Sequence, residues 1–331
     1  MRRSRRTAVR FVSAVVLFTA TAGGIAVAGS FHISQRFDEI GRIDLGAALQ
    51  PAKDEPGITS AQNYLLVGSD SRAGANPGDA DYGAMGNEDA VGGKRSDTIM
   101  VLRLDPVLGR ASIMSLPRDL YVTIAGTNGK KNRINTAYSI GPDALVRTVQ
   151  DNFGITIQHY LEVDFQGFKR LVDELGGVTI CFEYPTRDDN TGLNIPNPGC
   201  QNLGGTQALA FARSRHYKEL REGRWREDGT ADLGRVKRQQ DFLRIALDRS
   251  ISKGLGNPLA ISGLLDAVVG NVTVDASLTE GDMTRLARQF RSLGSDKLDT
   301  YTLPASATTI RGMSVLVEDQ RAATAVLAHF R

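Results

Sequence analysis

Thr98-Ile99-Met100-Val101-Leu102-Arg103-Leu104 is a short apolar run with the composition of a buried strand. Asp105-Pro106 and Gly109 carry turn chemistry, and Ala111-Ser112-Ile113-Met114-Ser115-Leu116 returns as a second run. A hairpin that pairs Leu104 with Ala111 sets Asp97 opposite Arg118, with Arg95 two residues before Asp97. Tyr64-Leu65-Leu66-Val67, ending at Gly68, is a third strand pattern. Laid alongside Ala111–Leu116, it brings Asp70 out at the same sheet edge. Two carboxylates and two or three guanidiniums are then expected together.

Downstream, helical patterns cover 142–152, 165–175, 206–212, 232–253, 259–269 and 278–293. Extended pieces cover 159–163, 178–182, 272–274 and 301–303, and Gly176-Gly177 stops the helix before the 178–182 strand. Helices mixed with apolar strands imply an α/β domain with a sheet covered on both faces. The 73–93 segment, rich in Gly, Asp, Asn and Ala, has no apolar period and reads as a loop.

The formal charge of +3 hides an asymmetry. Arg2, Arg3, Arg5, Arg6 and Arg10 precede any acid; with these five set aside, 35 basic residues face 37 acidic ones. Nucleic-acid binding needs a basic surface, so it is not expected. Residues 11–30 are apolar or small throughout, and about 20 such residues span a bilayer. Arginines before that run predict a cytoplasmic N-terminus and an exported remainder. Ala26-Val27-Ala28 offers the alternative of a cleaved signal. The expected organisation is a cytoplasmic tail (1–10), a transmembrane helix (11–30), a stalk (31–62) broken by Pro51, Pro56 and Gly57, and an extracytoplasmic domain (63–331). Cys181 and Cys200 are the two cysteines, and both lie in the exported part, where disulfides persist. Two buried thiols are the alternative. The two cysteines and four histidines show no zinc spacing.

Two carboxylates beside a phosphate suit a hard cation, Mg²⁺ or Mn²⁺, and arginine binds phosphate bidentately. Taken alone, Asp97 with Arg118 reads equally as a rim salt bridge worth at most about 1 kcal/mol. A second cluster shifts the balance. Arg213-Ser214-Arg215 follows one helix, and Arg235, Arg238, Gln239 and Phe242 fall on one stripe of the next. Leu233, Val236, Leu243 and Leu247 form the apolar stripe. Arginines beside Gln point to a bound anion; a solvated basic face, with Asp232 and Asp241 as local partners, is the blander reading. His216 is a candidate proton shuttle that lacks an evident acid partner. Ser69 and Ser71 have no histidine spaced for a triad.

The blocks 63–72, 95–98, 115–119, 134–138, 175–178, 212–215 and 232–240 resemble, in order, those of the LytR-CpsA-Psr family. The cysteine pair resembles actinobacterial members. The resemblance implies a three-layer α-β-α domain with a mixed central sheet. It implies Mg²⁺ held by Asp70 and Asp97. It assigns the pyrophosphate to Arg95, Arg118, Arg213, Arg215, Arg235 and Arg238, with Gln239 beside them, and places Asp70, Asp97 and Arg118 at the chemistry. It also implies an apolar tunnel for an isoprenoid tail. The expected activity is transfer of a glycan phosphate from a polyprenyl-pyrophosphate carrier to a peptidoglycan sugar hydroxyl, releasing polyprenyl phosphate. A pyrophosphatase and a non-catalytic lipid-phosphate binder are the alternatives. Two departures stand out: the 73–93 insertion, and the 217–230 stretch with Trp225 before Arg235.

Overall fold

The computed structural model describes residues 37–50, 61–70, 96–105, 107–229, 231–252, 266, 269–279, 281–282 and 298–331, without side chains at 97, 231–233 and 247–252. The expected membrane helix, the 73–93 loop, Arg95, and most of the helices expected over 259–269 and 278–293 lie outside the described residues.

The centre is a seven-stranded mixed sheet in the order β1-β14-β7-β2-β3-β4-β15. Its strands are β1 (Gly41–Ile43), β2 (Gln62–Ser69), β3 (Ser96–Asp105), β4 (Arg110–Ser115), β7 (His159–Val163), β14 (Val272–Asp275) and β15 (Leu298–Thr302). Strand alternation splits the apolar residues between two faces. Leu65, Val67, Ile99, Val101 and Met114 enter one buried cluster. Tyr64, Met100, Leu104, Ala111 and Ile113 enter another. Helices α1 (Asn135–Ile140), α2 (Pro142–Phe153) and α6 (Gln320–Leu327) cover the first face through Tyr138, Leu145, Val149, Phe153 and Leu327. Helix α5 (Ala231–Ser252) packs Leu243 on the second. Each large side chain so buried contributes about 1.5–3 kcal/mol relative to exposure.

A satellite core joins α3 (Phe165–Glu174), α4 (Gly205–Arg213) and the paired strands β8 (Val178–Phe182) and β11 (Gly199–Leu203). Asp164 caps α3 by accepting from the Gly167 N–H at 2.7 Å. Gly176 and Gly177, at φ 77° and 87°, end it as expected. Gly205 lets α4 approach α3: a Cβ there would lie 2.3 Å from the Lys169 carbonyl oxygen. Cys181 and Cys200 face each other across β8 and β11 and are disulfide-bonded. Closing a loop of about 20 residues this way is worth about 3 kcal/mol in the chain-entropy model. Three smaller sheets complete the structure. One joins β5 (Tyr121–Thr123) to β6 (Lys131–Arg133), and another joins β16 (Ala305–Ile310) to β17 (Met313–Glu318). The third runs β10 (Leu193–Ile195), β9 (Thr186–Asp188), β12 (Lys218–Arg221), β13 (Arg224–Glu227).

Three expectations change. The β3–β4 register pairs Leu104 with Ala111, as the turn predicts, but the ladder ends at Met100 with Ser115. Leu116 donates to the Ile99 carbonyl, and Pro117, with no N–H to give, lets the chain leave the sheet before Arg118. Arg118 is therefore not cross-strand from Asp97. Strand β2 lies between β3 and β7, not beside β4. Its antiparallel ladder with β3 still delivers Asp70 to the end of the sheet where β3 begins. The expected 31–62 stalk is partly folded: β1 adds to the sheet edge along β14, and Phe37, Ile40, Leu45 and Ala48 are buried. These apolar positions are spaced irregularly, so neither a helix nor a strand period reveals them.

Candidate functional site

The α4 helix ends at Arg213, and the next three residues are pinned by one carboxylate. Asp188, fully buried at the end of β9, accepts from the Ser214 hydroxyl at 2.7 Å. It also accepts from the backbone N–H groups of Arg215 at 3.0 Å and His216 at 2.9 Å. Its other oxygen accepts from the Asn190 N–H at 2.9 Å. Burial pushes the Asp188 carboxyl up, but these donors outweigh it and hold the group below the usual carboxylate range. The Arg213 guanidinium lies 4.4 Å over the Phe165 ring. Arg118 leaves the sheet edge half-buried, and its carbonyl accepts from the Asn135 N–H at 3.2 Å. Arg235 projects from the first turns of α5 and is 2 % exposed.

Arg118, Arg213, Arg215 and Arg235 line one cavity of about 220 Å³, together with Asp188, Asn190, Thr191 and His216. Segments separated by about a hundred residues thus present four guanidiniums to one space. Like charges so gathered repel, and an anion between them relieves the repulsion.

Gln239 ties this cavity to the carboxylate edge. Its amide donates to the Thr98 hydroxyl at 2.8 Å and to the Ala212 carbonyl at 3.3 Å. Thr98 adjoins Asp97, and Ala212 adjoins Arg213. The β2–β3 register passes from Gly68 with Thr98 to Ser69 with Ser96, so Asp97 is the residue skipped at the irregularity. Asp70 follows Ser69 directly. The backbone therefore brings Asp70 and Asp97 to one corner; the Asp97 side chain and Arg95 lie outside the described residues. Behind Asp70, Glu162 accepts from the Tyr138 and Tyr160 hydroxyls. Burial, then the bond to Glu162, then the charges of Glu162 and Asp70 raise the Tyr138 hydroxyl above its ordinary range, against the Ser69 bond.

Arg238 behaves differently from the other site arginines. It pairs with Asp228 at 2.9 Å, donates to the Ser214 carbonyl and lies 4.7 Å over the Tyr217 ring. It lines a second groove of about 720 Å³ with Phe182, Phe211, Tyr217, Asp241 and Ile245. The 217–230 stretch is an ordered β12–β13 hairpin, turning at Glu222-Gly223 and braced by Arg187 over the Trp225 ring at 4.2 Å. It supplies Asp228 to Arg238 and Glu227 to His216, whose Nδ1 lies 2.9 Å from Oε1. The sequence reading missed Asp188, Glu227, Asp228, Tyr138 and Glu162. The one available signal was the Glu222-Gly223 turn between two charged runs.

A model of the LytR_cpsA_psr family matches residues 46–331. The probable cell wall biosynthesis protein LcpB of Corynebacterium glutamicum is 33 % identical over 296 residues, covering 88 % of this chain and 65 % of that protein. The polyisoprenyl-teichoic acid–peptidoglycan teichoic acid transferase TagV of Bacillus subtilis is 34 % identical over 218 residues, covering 64 % of this chain and 52 % of that protein. The chain thus spans between half and two thirds of the length of these relatives. The solved structure of a LytR-Csp2A-Psr enzyme from Actinomyces oris superposes with a TM-score of 0.68 at 26 % identity, covering 88 % of this chain and 95 % of that one. With the mixed sheet, the arginine cavity and the ordered sequence blocks in agreement, the chain belongs to the LytR-CpsA-Psr family.

Proposed function

We propose that this protein transfers a glycan phosphate from a polyprenyl-pyrophosphate carrier to a peptidoglycan sugar hydroxyl, releasing polyprenyl phosphate. One observation carries the reading: four arginines from three distant segments line a single cavity, tied through Gln239 to the sheet corner where Asp70 and Asp97 emerge. The name of the Bacillus subtilis relative supports it, since that protein is a transferase of teichoic acid to peptidoglycan.

In this reading Arg118, Arg213, Arg215 and Arg235 grip the pyrophosphate and neutralise charge as it spreads over the phosphoryl group. Arg95 joins them. Arg238 acts through Ser214 by holding the strand that carries Arg213 and Arg215. Gln239 fixes the spacing between guanidiniums and carboxylates. Asp70 and Asp97 would hold Mg²⁺ or Mn²⁺. Two hard oxygen donors at one corner fit such an ion, leaving the rest of its shell to water and phosphate oxygens. The ion, when bound, supplies positive charge to the pyrophosphate oxygens. The N-terminal 11–30 segment anchors the chain in the cell membrane, N-terminus inside, and presents the domain to the wall.

The test is glycan transfer from a polyprenyl-pyrophosphate donor to peptidoglycan with Mg²⁺ present. Arg118→Ala and Asp97→Ala each lower turnover by about 10²-fold or more. Unchanged turnover in both rejects the assignment. Release of glycan phosphate at the same rate without peptidoglycan identifies a pyrophosphatase instead.

A further inference from the structure

We propose that His216, oriented by Glu227, is the general base that deprotonates the acceptor hydroxyl; this rests on the transfer reading above. His216 lines the arginine cavity, so its ring borders the space assigned to the pyrophosphate. Its Nδ1 is 2.9 Å from Glu227 Oε1. With Nδ1–H donated to that carboxylate, Nε2 carries the lone pair. Among the described residues no second hydrogen bond reaches the ring. Two anchors fix the pair. The buried Asp188 carboxylate accepts from the His216 backbone N–H at 2.9 Å. The hairpin end that carries Glu227 is closed by Asp228 N–H to the Tyr217 carbonyl and by the Asp228–Arg238 ion pair, both at 2.9 Å.

Elimination within the cavity leads to the same residue. Of the eight lining residues, four are arginines, which stay protonated. Asn190 and Thr191 are not bases. Asp188 is fully buried, and both its oxygens already accept hydrogen bonds that hold the backbone. His216 remains. Its side chain is 53 % exposed and that of Glu227 43 %, so an acceptor arriving from the wall side can reach it. A bare surface pair at this exposure is worth little to stability, which leaves the position at the cavity as its distinguishing feature.

The step balances as follows. The acceptor O–H proton passes to Nε2, and its oxygen bonds to the glycan-bearing phosphorus. The bond from that phosphorus to the bridging oxygen breaks, and its electron pair leaves with polyprenyl phosphate. Glu227 stabilises the imidazolium, which then returns its proton to water. The charged groups facing the ring are Glu227 from β13, Asp188 from β9, Arg213 and Arg215 from the end of α4, Arg118, and Arg235 from α5.

The experiment uses the full chain, a polyprenyl-pyrophosphate-linked glycan, peptidoglycan and Mg²⁺. His216→Ala lowers kcat by about 10²–10⁴-fold. Donor Kd stays within about twofold, because the arginines hold the donor. Added imidazole restores part of the rate, which a structural role would not allow. The acid limb of kcat/KM seen in the wild type is absent, and Glu227→Gln loses about tenfold. Retention of kcat within about threefold in His216→Ala, or a matching loss of donor affinity with no imidazole rescue, overturns the proposal. A wild-type chain that transfers nothing overturns the transfer reading as well; wild-type transfer with an unaffected His216→Ala overturns this proposal alone.

Discussion

Arg235 and Arg238 lie one turn apart on α5, on one stripe, yet they serve opposite ends of an electrostatic balance. Arg235 opens, with three other guanidiniums, onto the 220 Å³ cavity. Arg238 turns toward the 720 Å³ groove and is neutralised by Asp228. A positively charged cavity with one buried carboxylate, already committed to backbone N–H groups, is built to receive an anion. A groove rimmed by Arg238, Lys237, Asp228 and Asp241 is balanced without one. Helix periodicity puts both arginines on one face; only the hairpin that arrives from 217–230 separates their roles.

The largest effect expected from breaking this contrast is on activity. Arg235→Ala lowers glycan transfer by about 10²–10³-fold, as loss of one charge-stabilising donor does. The melting temperature holds or rises slightly, because three like charges lose a fourth neighbour. Transfer assays with thermal melts on the same preparation check both halves, and a large drop in melting temperature would show that Arg235 is chiefly a packing element.

A smaller effect, on stability, is expected from Arg238→Ala. The half-buried Asp228 carboxylate, the Ser214 carbonyl and the Tyr217 ring all lose their partner. We expect a loss of about 2 kcal/mol, or roughly 4–8 °C in melting temperature. Transfer then falls indirectly, as Arg213 and Arg215 lose their backing. Equal melting temperatures for the Arg235 and Arg238 variants would dissolve the distinction between the two sides.

The parts legible in the sequence were those governed by local rules. Alternation and a tight turn set the β3–β4 register, and the pairing of Leu104 with Ala111 followed from the turn alone. The family blocks named Arg118, Arg213, Arg215 and Arg235 before their meeting in one cavity was visible. What stayed hidden depends on tertiary approach. Asp188 sits among Arg187, Asp189 and Asn190, a run that reads as surface loop, yet it is fully buried. The β13 strand is exposed throughout, so no apolar period marks the hairpin that delivers Glu227 and Asp228. The neighbour of β2 was misjudged because strand order, unlike register, is not encoded in a single hairpin.

Asp188 provides the finest probe of the cavity side. Burial raises its carboxyl, but the Ser214 hydroxyl and the N–H groups of His216, Asn190 and Arg215 win and hold it below the ordinary value. A depressed folded-state value makes the charged form part of the fold. Its stabilisation is fully present above the unfolded carboxyl value, near pH 4, and is lost as pH falls from there through the folded value. Asp275 acts in the same direction: burial raises it, while His159, Ser277 and the Tyr160 N–H lower it further, so a global acid melt combines the two. Asp188→Asn separates them. The difference in stability between wild type and Asp188→Asn should be about 1–2 kcal/mol and flat above about pH 5, then shrink below about pH 4. Amide exchange resolves where it acts: the N–H groups of Arg215 and His216 lose protection in acid before those of β3 and β4 do. A stability difference that stays constant down to pH 3, or simultaneous loss of protection in both places, would mean that Asp188 does not set the arginine side of the comparison.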